Sequence, residues 1–137
     1  MGEVLEGKVR NIRDCVRRAR EVDPGNLETL SRDLLRQESL LLNVQRACQS
    51  AIDLAVHLVQ QRTLGMPADS RDAFLRLEKA GLLDADLGTR LRGMVGFRNI
   101  AVHRYHELDL RILRSILDGR LDDLLRFAEI AIGLSGK

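Results

Sequence analysis

Apolar residues recur at intervals of three and four along nearly the whole chain, which is the spacing of amphipathic α-helices. In the first helix, for example, Val9, Ile12, Val16 and Ala19 fall on one stripe. No segment alternates β-branched and polar residues for long enough to predict a strand. The predicted helices are about Glu3–Val22, Leu27–Leu64, Ser70–Ala80, one from Asp84 or Asp86 to about His103, and one that starts after Asp109. The pattern therefore predicts an all-α protein.

Short breaks separate these helices. Asp23-Pro24-Gly25-Asn26 ends the first helix and Gly65-Met66-Pro67 ends the second, because proline and glycine do not continue a helix cheaply. The pattern also allows a kink near Gln37, a weak point at Gly119 and a frayed end at Gly133. Long helices joined by short turns predict an antiparallel up-and-down bundle, here of four to five helices. Without a linker or repeat, we expect residues 1–137 to form one domain.

Composition narrows the function only slightly. The formal net charge is +2, which is too small to indicate a nucleic-acid binder by itself. With no Trp, one Tyr and three Phe, the chain has few rings on which the bases of a single strand could stack. Any contact with RNA would therefore depend on phosphates and a few polar groups.

The chain also lacks the marks of a secreted or membrane protein. Cys15 and Cys48 lie in helical patterns without metal-ligand spacing, so we expect two buried thiols in a reducing compartment. Residues 1–20 carry charges throughout, and the most apolar region, Leu40–Val59, is interrupted by polar residues. We expect a cytoplasmic protein with no membrane span, no metal site and no cofactor.

One segment, Phe97–Tyr105, concentrates the residues that could do chemistry. It contains Arg98, Asn99, His103 and the only tyrosine, Tyr105. Asn99 and His103 share a helix face, whereas Arg98 lies roughly 140° around the helix from His103. One straight helix would not aim both at a single phosphate. A distorted turn, a helix end near His103, or a second subunit that supplies part of the site would bring them together.

This segment resembles the motif of the HEPN ribonucleases, in which an Arg and a polar residue precede a His by several residues. Here Arg98-Asn99 is followed by three residues and then His103. Tyr105 stands two residues after His103, where the HepT-like branch of that family has a Tyr. The resemblance also covers the long second helix, residues 67–77 and the apolar residues that lead into the motif.

The resemblance implies an all-helical, HEPN-like homodimer in which both copies of the motif line one cleft. It implies a metal-independent RNA endonuclease that is the toxin of a type VII-like toxin–antitoxin pair. The implied partner is a minimal nucleotidyltransferase antitoxin, which silences the toxin by attaching AMP to Tyr105.

The residue types suit this chemistry. RNA carries its own nucleophile, the 2′-hydroxyl, so its cleavage requires neither a metal nor a nucleophile from the enzyme. An ordinary imidazole, with a pKa of about 6.5, exchanges protons near neutral pH, and a guanidinium matches the oxygens of a phosphate. We therefore interpret His103 as the general acid or base and Arg98 as the phosphate stabiliser. Asn99 would position groups by hydrogen bonding.

Each of these residues also has a purely structural interpretation. His103 could interact only with the carbonyls at a helix end. Arg98 could form a salt bridge with Asp53, and Tyr105 could be a half-buried packing residue. His57 follows Asp53 by four residues, so we expect an intrahelical pair there.

Two other features of the chain have both a structural and a functional interpretation. The first predicted helix carries the basic residues Lys8, Arg10, Arg13, Arg17, Arg18 and Arg20. Such a run is usually a solvated face, although four of its arginines form a stripe that could guide RNA. Gly93 and Gly96 permit a close helix approach, either at a dimer seam or within the bundle.

Two alternatives to the ribonuclease are open. One is a non-catalytic HEPN binding module accessory to a nucleotidyltransferase, and the other is a plain helical interaction protein. Because every position of the motif is filled, the sequence favours the enzyme.

Overall fold

The computed structural model describes residues 2–135, apart from the side chain of Tyr105, and in this range it contains helices and no strand. The all-α prediction is confirmed. The helices are α1 Glu3–Val22, α2 Leu27–Ser31, α3 Leu34–Gln61, α4 Ser70–Lys79, α5 Ala85–His103, α6 Leu110–Gly119 and α7 Leu121–Ser135, with a 3₁₀ turn at Tyr105–Glu107 between α5 and α6.

The predicted long second helix is wrong, because it is divided into α2 and α3. The division lies at Arg32 and Asp33, before the suggested kink near Gln37. Asp33 has an extended backbone, and its carboxylate accepts a hydrogen bond from the N–H of Arg36. This is an N-cap, which starts a new helix rather than bending an old one.

The last predicted helix is also divided, into α6 and α7, at the weak point expected at Gly119. The frayed end expected at Gly133 is wrong, since α7 continues to Ser135. Elsewhere the bounds agree closely. The helix α1 spans the predicted residues, α4 ends one residue early, and Asp84 rather than Asp86 caps α5.

The four longer helices form the predicted antiparallel up-and-down bundle. The Lys8–Asp53 ion pair (2.9 Å) and the Arg36–Val22 hydrogen bond (2.7 Å) join opposite ends of α1 and α3. The Arg90–Asp123 pair (3.1 Å) joins α5 to α7 near the N-terminal ends of both helices. The short helix α4 packs against α3 and α5 and thereby covers the face of α5 that carries Arg98.

A buried ion pair ties α6 to the end of α1. The Arg114 side chain is only 10% exposed and donates to both carboxylate oxygens of Asp23, at 2.6 and 2.7 Å. Asp118 accepts a further hydrogen bond from Arg114 at 2.8 Å. The hydrogen bonds from Arg114 hold the pKa of Asp23 below its ordinary value.

None of the helices within residues 2–135 combines the length and the apolar character needed to cross a membrane.

We predict that Asp23→Asn lowers the free energy of unfolding by about 2 kcal/mol at pH 7, because it leaves the buried Arg114 with a single carboxylate. A lowered pKa stabilises the fold above the pKa of the unfolded carboxyl, about 3.9, and this stabilisation is lost as the pH falls further. Urea unfolding from pH 7 to pH 3 should therefore show the difference between variant and wild type shrinking below about pH 4.

The control for this experiment is Asp122→Asn, which removes an ion pair with Arg20 whose acidic side chain is 75% exposed. Exposed pairs contribute little, so this variant should unfold like the wild type. Equal losses in the two variants, or a loss at Asp23 that does not depend on pH, would contradict the assignment.

Candidate functional site

Arg98 lies on the face of α5 that is turned toward α3 and α4. It shares this side of the helix with the buried residues Leu91, Met94 and Ala101. Its Nη2 donates to the hydroxyl of Ser70, the first residue of α4, at 3.2 Å. Its Nε is buried and has no hydrogen-bond partner among the described side chains and backbone. The guanidinium is thus held beside α4, and its Nε–H can still donate a hydrogen bond.

The suggested salt bridge between Arg98 and Asp53 is wrong. Asp53 instead accepts hydrogen bonds from Lys8 Nζ and from Gln49 Nε2, both at 2.9 Å. No carboxylate among the described side chains lies within 4.0 Å of the Arg98 guanidinium. Its positive charge is therefore not neutralised by an ion pair of this kind.

The expected intrahelical pair of His57 with Asp53 is also wrong. The contacts of Asp53 with Lys8 and Gln49 occupy its carboxylate oxygens. The Nε2 atom of His57 is buried, and the described part of the chain provides no hydrogen-bond partner for it.

A neutral thiol lies within electrostatic range of the Arg98 guanidinium. Cys48, on α3, is buried, and burial raises the pKa of its thiol to about 12, although the charge of Arg98 acts in the opposite direction. The thiol is therefore protonated at neutral pH and does not compensate the guanidinium. Cys15 is also buried with its pKa raised by burial, so the prediction of two buried thiols is confirmed.

His103 is exposed and is the last residue of α5, so a helix end near His103 is confirmed. After it, Arg104 leaves the helix with φ −141° while its N–H still bonds to the Ile100 carbonyl. The suggested distorted turn is wrong, because α5 is α-helical from Arg98 through His103. Asn99 is half-buried, one turn before His103 on the same face.

A single chain therefore does not bring Arg98 and His103 together. The regular helix separates their directions by roughly 140°. No hydrogen bond among the described side chains joins Arg98 to Asn99 or to His103. Because α5 ends only after His103, the helix end does not bring the two side chains together. A contribution from a second subunit is therefore the route that this geometry favours.

The side chain of Tyr105 lies outside the described part of the structure. Its backbone begins the 3₁₀ turn that follows α5, which places the residue just past the end of the helix that carries His103. Arg104, His106 and Glu107 around it are exposed. The neighbourhood of His103 is thus a polar, accessible end of α5.

Sequence reasoning missed two residues beside the motif, Ser70 and Arg71. Asp69 caps α4, and Ser70, the first residue of this helix, contacts Arg98. Arg71 is exposed and donates through Nε to the carbonyl of Arg92 at 3.4 Å. A Cβ atom on Gly96 would come within 2.9 Å of Arg71 Nη2, so the glycine allows this guanidinium to lie against α5.

An open groove of about 530 Å³ runs between α5 and α6, on the flank of α5 turned away from Ser70. Gly93, Gly96 and Phe97 line it from α5, and Ile112, which is 45% exposed, lines it from α6. Gly93 has no atom near its Cβ position, whereas Gly96 accommodates Arg71 of the same chain. The dimer seam, one of the two alternatives for these glycines, is consistent with the open face at Gly93, and the close contact at Gly96 lies within the bundle.

The basic face of α1 lines a second groove, of about 410 Å³. Arg10 and Arg13 are exposed there beside Asp14, whereas Arg17 pairs with Asp14 at 3.2 Å and Arg20 pairs with Asp122 at 2.6 Å. Half of the predicted stripe is thus engaged in ion pairs. This mixed charge is typical of a solvated helix face.

Comparisons with known proteins give one consistent family. The family model described as ribonuclease HepT-like matches residues 12–131, a range that contains the whole motif. The chain is 37% identical over 130 residues to the mRNA nuclease HepT of Shewanella oneidensis, a match that covers 95% of this chain and 97% of that protein.

Solved structures of similar chains share the fold. One is a toxin–antitoxin complex with AMP-PNP, with a TM-score of 0.88 and 35% identity over 96% of this chain and 99% of that chain. Another is the tri-AMPylated HEPN toxin of Shewanella oneidensis in complex with an MNT antitoxin, with a TM-score of 0.90 and 36% identity over 97% and 99% of the two chains.

Proposed function

This chain belongs to the ribonuclease HepT-like family, as its motif predicted, and from that premise we propose that it is an RNA endonuclease that acts as the toxin of a type VII-like toxin–antitoxin pair. The observation that carries the proposal is the uncompensated guanidinium of Arg98, on the helix that ends in an exposed His103. The similar Shewanella protein is an mRNA nuclease, so mRNA is the substrate class that we propose.

In the proposed mechanism, the RNA 2′-hydroxyl attacks the adjacent phosphate, and the 5′-oxygen of the next nucleotide leaves. Arg98 donates hydrogen bonds to the phosphate oxygens, which gain negative charge in the transition state. His103 accepts the proton of the 2′-hydroxyl or gives one to the leaving 5′-oxygen, and water exchanges the other proton, so that the products are a 2′,3′-cyclic phosphate and a 5′-hydroxyl. Asn99 orients the substrate by hydrogen bonding. The reaction requires no metal and no cofactor.

The active site that we propose is a cleft shared by two protomers. Arg98 points toward α3 and α4, while His103 and Asn99 lie on another flank of α5. A twofold axis near the end of α5 would place the motif of a second copy in reach of the first. The open groove beside Gly93 and Gly96 offers this copy an apolar surface.

We further propose that residues 1–137 form one HepT-like domain that acts in the cytoplasm. The family match over residues 12–131 supports the single domain. Two unpaired, buried cysteines and an RNA substrate support the compartment.

We predict that the protein is a stable homodimer. Sedimentation or light scattering at micromolar concentration should give twice the mass of the 15.4 kDa chain. Ile112→Glu, at the exposed rim of the groove, should convert the dimer to a folded monomer with at least about tenfold lower cleavage, because it places a charge in an apolar interface. A wild-type protein that remains monomeric at these concentrations would exclude the shared cleft.

We also predict that Arg98→Ala and His103→Ala each lower RNA cleavage by about 10²-fold or more, since each removes a charge or a proton carrier from the reaction. Cleavage by the wild type should continue in excess EDTA. Melting temperatures should change little, because His103 is exposed and Arg98 loses only one hydrogen bond to a neutral group.

His106→Ala is the matched control, because it removes a second exposed imidazole near the same helix end and should leave the rate unchanged. Wild-type cleavage by either motif variant would remove that residue from the mechanism. A folded wild type that binds a nucleotidyltransferase but cuts no RNA would instead favour the non-catalytic accessory module.

Regulation by AMP transfer follows from the same proposal. A similar toxin is tri-AMPylated and bound to an MNT antitoxin, and we propose a minimal nucleotidyltransferase as the partner and Tyr105 as the acceptor here. Tyr105 lies two residues after His103, close enough for an attached group to block the cleft. Each added phosphate would also repel the RNA backbone and could engage Arg98 instead.

We predict that Tyr105→Phe keeps cleavage within a few-fold of the wild type but escapes inhibition by the nucleotidyltransferase and ATP. Intact mass and peptide mapping should locate one or more AMP groups on the peptide that contains Tyr105. Adducts confined to other peptides, or inhibition of Tyr105→Phe equal to that of the wild type, would overturn this assignment.

A further inference from the structure

The first turn of α4 is fixed by several local contacts. The carboxylate of Asp69 accepts the N–H of Asp72 at 2.8 Å and caps the helix. Asp72 in turn accepts the N–H of Ala68 at 2.8 Å, and Arg76 Nη1 donates to the Leu64 carbonyl at 2.9 Å. These bonds hold the preceding loop and the start of α4 in one position, so the hydroxyl of Ser70 has a defined place next to α5.

Ser70 supplies the hydrogen bond that locates the Arg98 guanidinium. The bond from Arg98 Nη2 to Ser70 Oγ is 3.2 Å long. Within the described residues, Arg98 has no carboxylate partner and its Nε has no acceptor. An arginine side chain has many rotamers, so loss of this contact would leave the guanidinium free to turn away from one position.

From this contact we propose that Ser70 is a positioning residue for RNA cleavage, which acts by holding the Arg98 guanidinium where the phosphate binds. The inference rests on the proposed function. A hydroxyl is suited to this task because it accepts a hydrogen bond without neutralising the charge that it holds. A carboxylate in the same place would form an ion pair and compete with the phosphate.

The hydroxyl also has a hydrogen left to donate. While its oxygen accepts from Arg98, its O–H can point to a phosphate oxygen on the open side. Ser70 is not needed to start α4, since Asp69 performs that role. Removing the hydroxyl should therefore disturb Arg98 without unfolding the helix.

The test compares Ser70→Ala and Ser70→Thr with a control that has the same chemistry elsewhere on α5. Arg92 Nη2 donates to the hydroxyl of Thr89, also at 3.2 Å, outside the motif. Thr89→Ala therefore removes a hydroxyl from an arginine that has no proposed role in catalysis.

We expect Ser70→Ala to lower kcat about tenfold with a smaller change in KM. The Arg98 guanidinium would remain near the phosphate but would no longer be held in one orientation. Ser70→Thr should recover most of the rate, and Thr89→Ala should cleave like the wild type. Equal rates for Ser70→Ala and the wild type would overturn the proposal. So would equal losses in Ser70→Ala and Thr89→Ala.

A double variant and a spectrum separate positioning from a general structural effect. In an Arg98→Lys background, Ser70→Ala should cause no further loss, since the group that it positions is gone. In the nuclear magnetic resonance spectrum of 15N-labelled protein, the Nε–H signal that disappears in Arg98→Lys should shift in Ser70→Ala and stay in place in Thr89→Ala. Independent losses in the double variant, or an unmoved Nε–H signal, would exclude this role.

The outcomes also separate this inference from the proposed function. A wild type that cuts no RNA would refute the function, and the Ser70 inference would fall with it, even if the Nε–H signal shifted. A wild type that cuts RNA together with fully active Ser70→Ala would leave the function standing and refute only the role of Ser70.

Discussion

The regularity of α5 is the constraint on which the site depends. Because this helix continues unbroken from Arg98 to His103, the two side chains leave it in directions roughly 140° apart. Arg98 lies on the side of α5 that faces α3 and α4, where it contacts Ser70. His103 lies at the exposed end of the helix. The shared cleft that we propose reconciles a straight helix with the proposed reaction, which needs both groups at one phosphate.

Arg98 carries a positive charge that has no counter-ion among the described residues. The groups described around Arg98 are a serine hydroxyl and a thiol that burial keeps protonated. Other arginines of the chain have carboxylate partners. Arg114 pairs with Asp23 and Asp118, and Arg90 pairs with Asp123. A guanidinium that is positioned but not neutralised is poised to bind an anion.

Much of the fold could be predicted from the sequence because helical periodicity is a local property. The bounds of α1 and the end of α5 at His103 follow from apolar spacing and from the residues that stop a helix. The division at Asp33 was missed because the same apolar spacing continues on both sides of it. Only the cap, which depends on backbone geometry, distinguishes two helices from one bent helix.

Only part of the candidate site could be predicted, because sequence patterns report local features and not contacts between helices. The motif residues lie within one short segment, so the resemblance identified them, whereas the contact of Arg98 with Ser70 joins two helices. Ser70 is 28 residues from Arg98, and nothing in its own neighbourhood marks it as a partner of an arginine. The expected contacts of Asp53 failed likewise, because Lys8, 45 residues away, competes for the carboxylate.

The shared cleft can be tested most directly with mixed dimers. Arg98→Ala and His103→Ala chains carrying different tags would be co-expressed, and the dimers that contain both would be isolated by successive affinity steps. If Arg98 of one protomer works with His103 of its partner, each mixed dimer keeps one complete pair and should recover about half of the wild-type cleavage rate. Mixed dimers as inactive as either parent would show that each site is built within one chain, and would contradict the account.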